Sequence, residues 1–219
     1  MAKDLAIILN SGSVYSAVVS AIAMQRYRPI FVHVETSPQS GSRLLEAYEQ
    51  QVGHFKPYRE HTMVLPNIAP PGGGAVAASA AADPRAKGVL AMHLVELLPL
   101  AAIAARVAVH YQAAAVYLGL RVGTQSDDLA TATEYIQVWN ELIQLPCNQV
   151  DLELTAPLLE LEPWQAIDLG IQVSAPMDKT WSCDEQGVEP CWACRGCRAR
   201  EAAFQQAAKP DPLHGVKKL

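Results

Sequence analysis

The feature that most constrains the fold of this chain is a cluster of cysteines near its C-terminal end. Four of the five cysteines lie in the stretch SCDEQGVEPCWACRGC, at Cys183, Cys191, Cys194 and Cys197. A CxxC pair places two thiolates on one tight turn, and a third and fourth cysteine complete a tetrahedral sulfur shell. No secretion signal precedes them, so the spacing indicates a metal site and not a disulfide framework.

The sulfur set also favours one metal over others. Four thiolates with no open coordination position are typical of a structural zinc site. The spacing does not follow the common ferredoxin runs, which favours Zn²⁺, and an iron–sulfur cluster is the alternative. Structural zinc contributes roughly 10 kcal/mol or more to folding, so stripping the metal should unfold the C-terminal end.

The first half of the chain alternates strand-length apolar runs with helical patterns. Residues 5–9 (LAIIL) and 30–34 (IFVHV) are predicted strands, and residues 14–26 and 42–53 repeat their apolar residues at helical spacing. Further strands are predicted at about 59–65, 115–120 and 149–154, and further helices at about 93–110, 129–144 and 163–169. Strands that alternate with helices predict an α/β fold with a doubly wound parallel sheet.

Composition divides the chain into unequal parts. Half of the 219 residues are hydrophobic, which is enough for a sizeable core. We expect an α/β domain over 1–178, a zinc knuckle with a C-terminal helix over 179–208, and a flexible tail over 209–219. Residues 66–88 are rich in Pro, Gly, Ala and Ser and are predicted to form a mobile loop within the first domain.

Charge and hydropathy argue against two classes of partner. The net charge is −5, and no block of like charges occurs, so nothing favours binding to nucleic acid. No uninterrupted apolar run reaches about 18 residues and no leader-like segment opens the chain, so we expect no membrane insertion and a cytoplasmic location.

A glycine–serine turn, NSGSVYS at residues 10–16, follows the first predicted strand. Backbone N–H groups at a helix N-terminus attract an anion, and the small residues Ser11, Gly12, Ser13 and Ser16 would let a phosphate approach. The turn is neither a Walker loop nor a dinucleotide fingerprint. The alternative is an ordinary Ser or Asn helix cap after a strand.

Several stretches together resemble one family. They are SGSVYS in the turn, VYLGLRVGTQSDDLATATEYI, LTAPLLELEPWQAIDLGIQV, and KTWSCDEQGVEPCWACRGCRAREAAF around the cysteines. The sequence resembles the 7-cyano-7-deazaguanine synthase family (QueC, also called ExsB), which belongs to the PP-loop pyrophosphatases or adenine nucleotide α-hydrolases. The resemblance runs from about residue 4 to residue 204 and is most specific from Thr180 to Arg200.

The resemblance implies a PP-loop α/β fold and an ATP-dependent ligase. In this family a carboxylate on 7-deazaguanine is adenylated, ammonia forms the amide, and a second activation with loss of AMP leaves the nitrile. It therefore implies ATP and Mg²⁺ as cosubstrates, a small 7-deazapurine-like substrate, structural zinc at the four cysteines, and a homodimer.

Among the departures of the chain from the family pattern, four concern residues expected at the binding site. The family's loop reads SGGxDS. In this chain Ser13 replaces the second glycine of that pattern and Tyr15 replaces the aspartate. Ala130 and Ala132 stand at an aspartate and an arginine that the family places near the deazapurine. Three hypotheses follow: an active synthase of this type, a catalytically degenerate nucleotide-binding or regulatory partner, and a zinc-stabilised interaction scaffold.

Overall fold

The fold was analysed in a computed structural model, which describes residues 4–36, 41–65, 89–124, 128–147, 152–185 and 187–215. The expected mobile loop over 66–88 lies outside the described residues. The strands are β1 Leu5–Leu9, β2 Arg28–Glu35, β3 Arg59–Val64, β4 Ala115–Leu118 and β5 Glu153–Thr155. The α-helices are α1 Val14–Arg26, α2 Gly41–Phe55, α3 Val89–Tyr111, α4 Leu129–Cys147, α5 Pro163–Gln172 and α6 Arg195–Gln206.

The five strands form one parallel sheet in the order β3-β2-β1-β4-β5. The chain builds outward from β1 through β2 to β3, and then crosses to the other side of β1 for β4 and β5. The predicted doubly wound parallel sheet is therefore confirmed. The strand order reverses between β1 and β4, and open α/β sheets bind ligands in the crevice at such a point.

Helices cover both faces of the sheet because the strands are apolar on both sides. Ile8 and Phe31 face a core that includes residues of α1, α2, α5 and α6. Ile7 and Ile30, their neighbours along the strands, face a second core formed with α3 and α4. This alternation follows from the two-residue period of a strand, and it gives three layers with the sheet in the middle.

Helix α3 is the most apolar element. Within the described residues it contains one segment, Leu94–Tyr111, that is long and apolar enough to cross a membrane by length and composition, with a mean hydropathy of 1.5. Core helices have the same composition, and the side chains of Ala101, Ala104 and Ala108 are fully buried in the core against the sheet. Packing on the sheet accounts for the buried third of this segment, whereas Val95 and Leu98 are exposed.

The C-terminal segments pack on the α1 and α2 side of the sheet. Helix α5 begins with Pro163 at its first position, and Gln165 Oε1 accepts from the backbone N–H of Glu162 at 2.8 Å. Helix α6 begins at the cysteine cluster, with Cys194 as its N-cap. This arrangement brings the cluster to the same side of the sheet as the turn between β1 and α1.

Candidate functional site

The turn after β1 is held in its shape by local hydrogen bonds. Ser13 is the N-cap of α1, and its Oγ accepts from the backbone N–H of Ser16 at 3.4 Å. Ser16 Oγ in turn accepts from the backbone N–H of Ser11 at 3.1 Å. Helix α1 begins at Val14, as the sequence predicts, because the serine cap terminates the extended backbone at that point.

Three serine hydroxyls meet at the mouth of this turn. Ser11 Oγ lies 2.9 Å from Ser16 Oγ and 3.0 Å from Ser13 Oγ, and Ser13 Oγ lies 3.2 Å from Ser16 Oγ. Ser11 is exposed, whereas Ser16 is buried. The structure thus places the three predicted serines together, with hydroxyls that reorient easily toward an acceptor. Their phosphate-binding role stays a prediction.

The backbone at the start of α1 provides donors as well. Among the described residues, no hydrogen-bond acceptor contacts the backbone N–H groups of Ser13, Val14 or Tyr15. These are the orphan donors of a helix N-terminus, where the macrodipole adds partial positive charge. The arrangement is suited to an anion such as a phosphate group.

Gly12 shows why the turn needs a glycine at this position. Its φ is +81°, and a Cβ atom built there would lie 2.2 Å from the backbone oxygen of Leu44 in α2. Its carbonyl oxygen accepts from the backbone N–H of Trp181 at 3.0 Å. The turn is therefore clamped between α2 and the segment that leads into the cysteine cluster.

Asn10 fixes the other end of the turn. Its Oδ1 accepts from the backbone N–H of Gly12 at 2.8 Å, and its Nδ2 donates to Gln51 Oε1 at 2.9 Å and to Ser20 Oγ at 3.2 Å. Gln51 Nε2 continues the network to the backbone oxygen of Lys179 at 2.9 Å. Asn10, Ser20 and Gln51 are all buried, so each of these bonds lies away from water and orders the turn.

The hydrogen-bond network of Asn10, Ser20 and Gln51 was not predicted from the sequence. One signal is visible in retrospect: Gln51 lies on the apolar stripe of α2, with the helical spacing of Tyr48 and Phe55. A polar residue on such a stripe needs a buried partner, but the sequence does not say which.

His33 supports the same network from β2. Its Nδ1 lies 2.9 Å from the backbone oxygen of Asn10, which fixes Nδ1 as the donor, and its ring stacks on Tyr48 with centroids 4.7 Å apart. Burial lowers the pKa of His33, opposed by the hydrogen bond to Asn10 and the charges of Glu35 and Glu49. The neutral imidazole is the form that fits this site.

A cavity of about 370 Å³ opens beside the turn, at the crevice where the strand order reverses. Its floor is formed by the turn, and its walls are apolar side chains from β2, α3 and the end of β4, among them Val32, Leu97 and Leu118. Apolar walls with a few convergent polar groups are typical of small-molecule sites of this volume.

Tyr15 and Arg121 form the rim of this cavity. The guanidinium carbon of Arg121 lies 5.2 Å from the centroid of the Tyr15 ring, and Arg121 Nη1 donates to the backbone oxygen of Leu161 at 3.3 Å. Ala130 is exposed and Ala132 is fully buried in α4, and neither is among the described residues that line the cavity. A direct base-reading role at these two positions finds no support in their location.

A second cavity, of about 340 Å³, separates the turn from the cysteine cluster. Ser11, Ser13 and Tyr15 line one side, and Trp181, Asp184 and Arg200 belong to the residues of the other side. Tyr15 thus stands between the two cavities. A ligand on the turn has room on both sides of this ring.

The four predicted cysteines come together in space. Their sulfur atoms all lie within 4.8 Å of one another, with Cys183 Sγ 3.8 Å from Cys194 Sγ and Cys191 Sγ 4.0 Å from Cys197 Sγ. Zinc–sulfur bonds of about 2.3 Å give a tetrahedron with edges of about 3.8 Å, so the four sulfurs fit a Zn²⁺ ion. The cluster could hold a metal ion.

Backbone N–H groups surround the sulfurs and favour thiolates. Cys191 Sγ accepts from the backbone N–H groups of Cys194 at 3.3 Å and Ala193 at 3.5 Å, and these bonds lower the pKa of Cys191 to about 7. Burial raises the pKa of Cys183 and of Cys197, so these two thiols need a cation to lose their protons. A metal ion supplies that charge.

The segment after α6, where a flexible tail from Lys209 is predicted, makes buried contacts in its described part; flexibility of the tail stays a prediction. Asp211 is buried and accepts from Arg200 Nε at 2.6 Å and from Nη2 at 2.9 Å. A short 3-10 helix, Pro212–Gly215, follows, and His214 stacks on Trp192 with ring centroids 3.6 Å apart. These contacts hold Asp211 and His214 against α6 and the cysteine segment, and a buried arginine requires such a carboxylate partner.

The fold defines the class: a PP-loop type α/β protein with a glycine–serine turn at the switch point of a parallel sheet. Its structure is similar to that of the NMN synthetase from Francisella tularensis, with a TM-score of 0.50 and 14% sequence identity over 95% of this chain and 79% of that one. At this identity the likeness shows the fold alone.

Sequence comparison then identifies the family. The sequence model of "Queuosine biosynthesis protein QueC" matches residues 5–208, and the chain belongs to this family. It is 26% identical to the 7-cyano-7-deazaguanine synthase of Acidobacterium capsulatum, over 96% of both chains. It is also 33% identical to the 7-cyano-7-deazaguanine synthase of Trichodesmium erythraeum, in an alignment that covers 46% of this chain and 47% of the relative.

Proposed function

We propose that the chain is an ATP-dependent synthase of the 7-cyano-7-deazaguanine type. The observation that carries the proposal is the set of backbone N–H groups of Ser13, Val14 and Tyr15, which meet no acceptor in the described part of the chain and lie beside an apolar cavity. The turn would bind the phosphates of ATP and the cavity would take its base. Membership of the family and the named activity of its relatives support the assignment.

The chemistry is leaving-group activation. A carboxylate oxygen attacks the α-phosphorus of ATP and releases pyrophosphate, giving an acyl adenylate. Ammonia replaces AMP on the carbonyl carbon to give the amide. The amide oxygen then attacks the α-phosphorus of a second ATP and releases a second pyrophosphate, and loss of AMP and of both amide N–H protons leaves the nitrile. The turn's N–H groups hold the pyrophosphate that leaves, and the cavity walls exclude water from the adenylate.

Two metals belong to this proposal. Zn²⁺ would be bound by Cys183, Cys191, Cys194 and Cys197, whose sulfur geometry fits it and leaves no position for substrate. Mg²⁺ would accompany ATP and neutralise phosphate charge. We further propose that the substrate is a small 7-deazapurine carboxylate, that the protein acts in the cytoplasm, and that it forms a homodimer.

The direct test is an incubation of purified protein with 7-carboxy-7-deazaguanine, ammonia and Mg-ATP, with AMP, pyrophosphate and nitrile measured. We expect two AMP and two pyrophosphate for each nitrile formed. Gly12→Ala, which blocks the turn, is the negative control for contaminating ATPases. Absence of AMP above that control at high protein concentration would refute the synthase assignment.

One observation favours a second candidate, a nucleotide-binding partner without catalysis. Tyr15 stands where the family has an aspartate, and its neutral ring cannot bind a metal as a carboxylate can. Calorimetric titration with ATP separates the candidates: the partner hypothesis predicts ATP binding without AMP formation, and a pure interaction scaffold predicts no binding.

A further inference from the structure

The positive charge at the cavity comes from one side chain. Among the described residues that line the 370 Å³ cavity, Arg121 is the only charged one, and no carboxylate of the described residues lies within salt-bridge distance of it. A buried or half-buried arginine is normally paired with an anion. Arg121 is partly buried and lines the same cavity as Ser11, Ser13 and Ser16.

The guanidinium is held in place by contacts that leave most of its donors unused. It lies over the ring of Tyr15 at 5.2 Å, and Nη1 donates to the backbone oxygen of Leu161 at 3.3 Å. Arg121 Nε is buried, and no acceptor for it or for Nη2 is found among the described residues. Because Nε is covered by protein atoms, the donor left for a ligand is Nη2, which could give a phosphate oxygen a charge-assisted hydrogen bond.

The ring of Tyr15 determines where this charge lies. Tyr15 is the second residue of α1, so its ring is fixed to the same turn as the unused N–H groups of Ser13 and Val14. A guanidinium on an aromatic face keeps its edge free for bidentate contacts. An aspartate at position 15 would repel a phosphate group unless a metal ion lay between them. Tyr15 is neutral, and the arginine over its ring provides a positive charge without a metal ion.

We propose that Arg121, positioned by Tyr15, is the phosphate-binding residue of this site, and that it binds a nucleoside triphosphate directly through its phosphate oxygens. The inference rests on the proposed function and adds a residue that the motif does not contain. It assigns Tyr15 a positioning role, in which the ring matters and the hydroxyl does not. It also implies that phosphate binding does not depend on a metal ion.

The test is a calorimetric titration with ATP in the presence of EDTA, so that the phosphates contact only the protein. We expect wild type to bind and Arg121→Ala to weaken the affinity by roughly ten- to hundredfold, the cost of losing a charge-assisted contact. Arg121→Lys should recover part of the affinity. Tyr15→Phe should bind like wild type, whereas Tyr15→Ala should weaken binding.

The chain offers a matched control in Arg26→Ala. The guanidinium carbon of Arg26 lies 5.2 Å from the Tyr27 ring, the same distance as in the Arg121 pair, but at the opposite end of α1. This variant should bind ATP like wild type. Thermal unfolding of each variant shows whether it is folded, and inorganic pyrophosphate as ligand should give the same ranking.

Two outcomes would overturn the inference and leave the proposed function intact. One is an Arg121→Ala variant that is folded and binds ATP as tightly as wild type in EDTA. The other is a wild-type protein that binds ATP only after Mg²⁺ is added. Absence of ATP binding under both conditions would overturn the inference and the proposed function together.

Discussion

Gly12 lies at the tightest contact of the turn, with φ +81° and the backbone oxygen of Leu44 2.2 Å from the position of an added Cβ. Gly12→Ala should therefore destabilise the protein, by about 1–2 kcal/mol for the φ value alone, and displace the turn from α2. Urea unfolding and ATP titration measure the two effects. We expect both stability and ATP affinity to fall.

Gly53→Ala is the matched control for this substitution. Gly53 lies inside α2 with no atom within 4 Å of an added Cβ. Alanine is the better helix former, so this variant should be more stable by up to about 1 kcal/mol and bind ATP unchanged. Equal behaviour of the two variants would show that Gly12 is an ordinary loop glycine.

The buried imidazole of His33 makes stability depend on pH. Burial lowers its pKa from an ordinary value of 6.5, so the unfolded chain binds the proton more readily than the folded one. The stabilisation is complete above about pH 6.5 and is lost as the pH falls toward the folded-state pKa. The variant His33→Asn keeps a donor for the Asn10 carbonyl but has no group that titrates. Its free energy of unfolding should therefore fall less between pH 7 and pH 5 than that of wild type.

Urea unfolding of wild type and variant at several pH values measures this difference. Because the other histidines and the cysteines are common to both proteins, the difference isolates His33. An identical pH dependence in both would mean that the pKa of His33 is the same in the folded and the unfolded chain.

Among the secondary-structure elements, the segment before the cysteine cluster is coupled to the nucleotide turn. Trp181 N–H donates to Gly12 O at 3.0 Å, and Lys179 O accepts from Gln51 at 2.9 Å. Removing the metal with a chelator should unfold this segment and weaken ATP binding by roughly two- to tenfold, the range for one hydrogen bond. Circular dichroism and ATP titration, with metal content measured in parallel, report the two changes.

Adding zinc back is the control for this experiment. It should restore both helix content and ATP affinity if the four cysteines fold around the metal. An ATP affinity that is the same with and without metal would show that the knuckle and the turn are independent.

The bounds of elements were predictable where local chemistry sets them. The bounds of β1 and α1 match the prediction because Ser13 caps the helix directly after an apolar strand. Strand β4 ends at Leu118, two residues before its apolar run does, because the chain at Gly119 turns against the backbone of Ser16. An apolar run shows that residues are buried but not that they pair with another strand.

At the scale of the whole molecule, the Arg200–Asp211 pair attaches the C-terminal segment to the knuckle. Both side chains are no more than 3% exposed. A truncation after Ala208 removes Asp211 and leaves the guanidinium buried without its carboxylate, which should cost about 3–5 kcal/mol. A shorter truncation after Gly215 keeps the pair and should have wild-type stability.

Urea unfolding of both truncations measures the effect. Equal stability of the two would mean that the chain beyond α6 is frayed, as its composition alone indicates. The ion pair between Arg200 and Asp211 was not predictable from the sequence. The composition of the segment indicates only that its residues are mostly polar, and it does not show that one carboxylate has a buried arginine as partner.

In the candidate site, too, only residues whose partners are near in sequence could be predicted from the sequence. The three serines and four cysteines were found from spacing, since their partners lie nearby in sequence. The contacts of Asn10, Gln51 and Arg121 are with residues distant in sequence. Asn10 bonds Gln51, Gln51 bonds the backbone oxygen of Lys179, and Arg121 lies over the ring of Tyr15. Only the folded sheet, which places β1 beside β4 and α2 beside the knuckle, brings these groups together.

The central claim is that nucleotide phosphates bind at the turn between β1 and α1. A crystal structure of the protein with ATP tests it most directly. We predict phosphate oxygens within hydrogen-bond distance of the N–H groups of Ser13, Val14 and Tyr15, with the base against Val32 and Leu118. A nucleotide bound elsewhere, or a turn without density under conditions of saturating ATP, would contradict the claim.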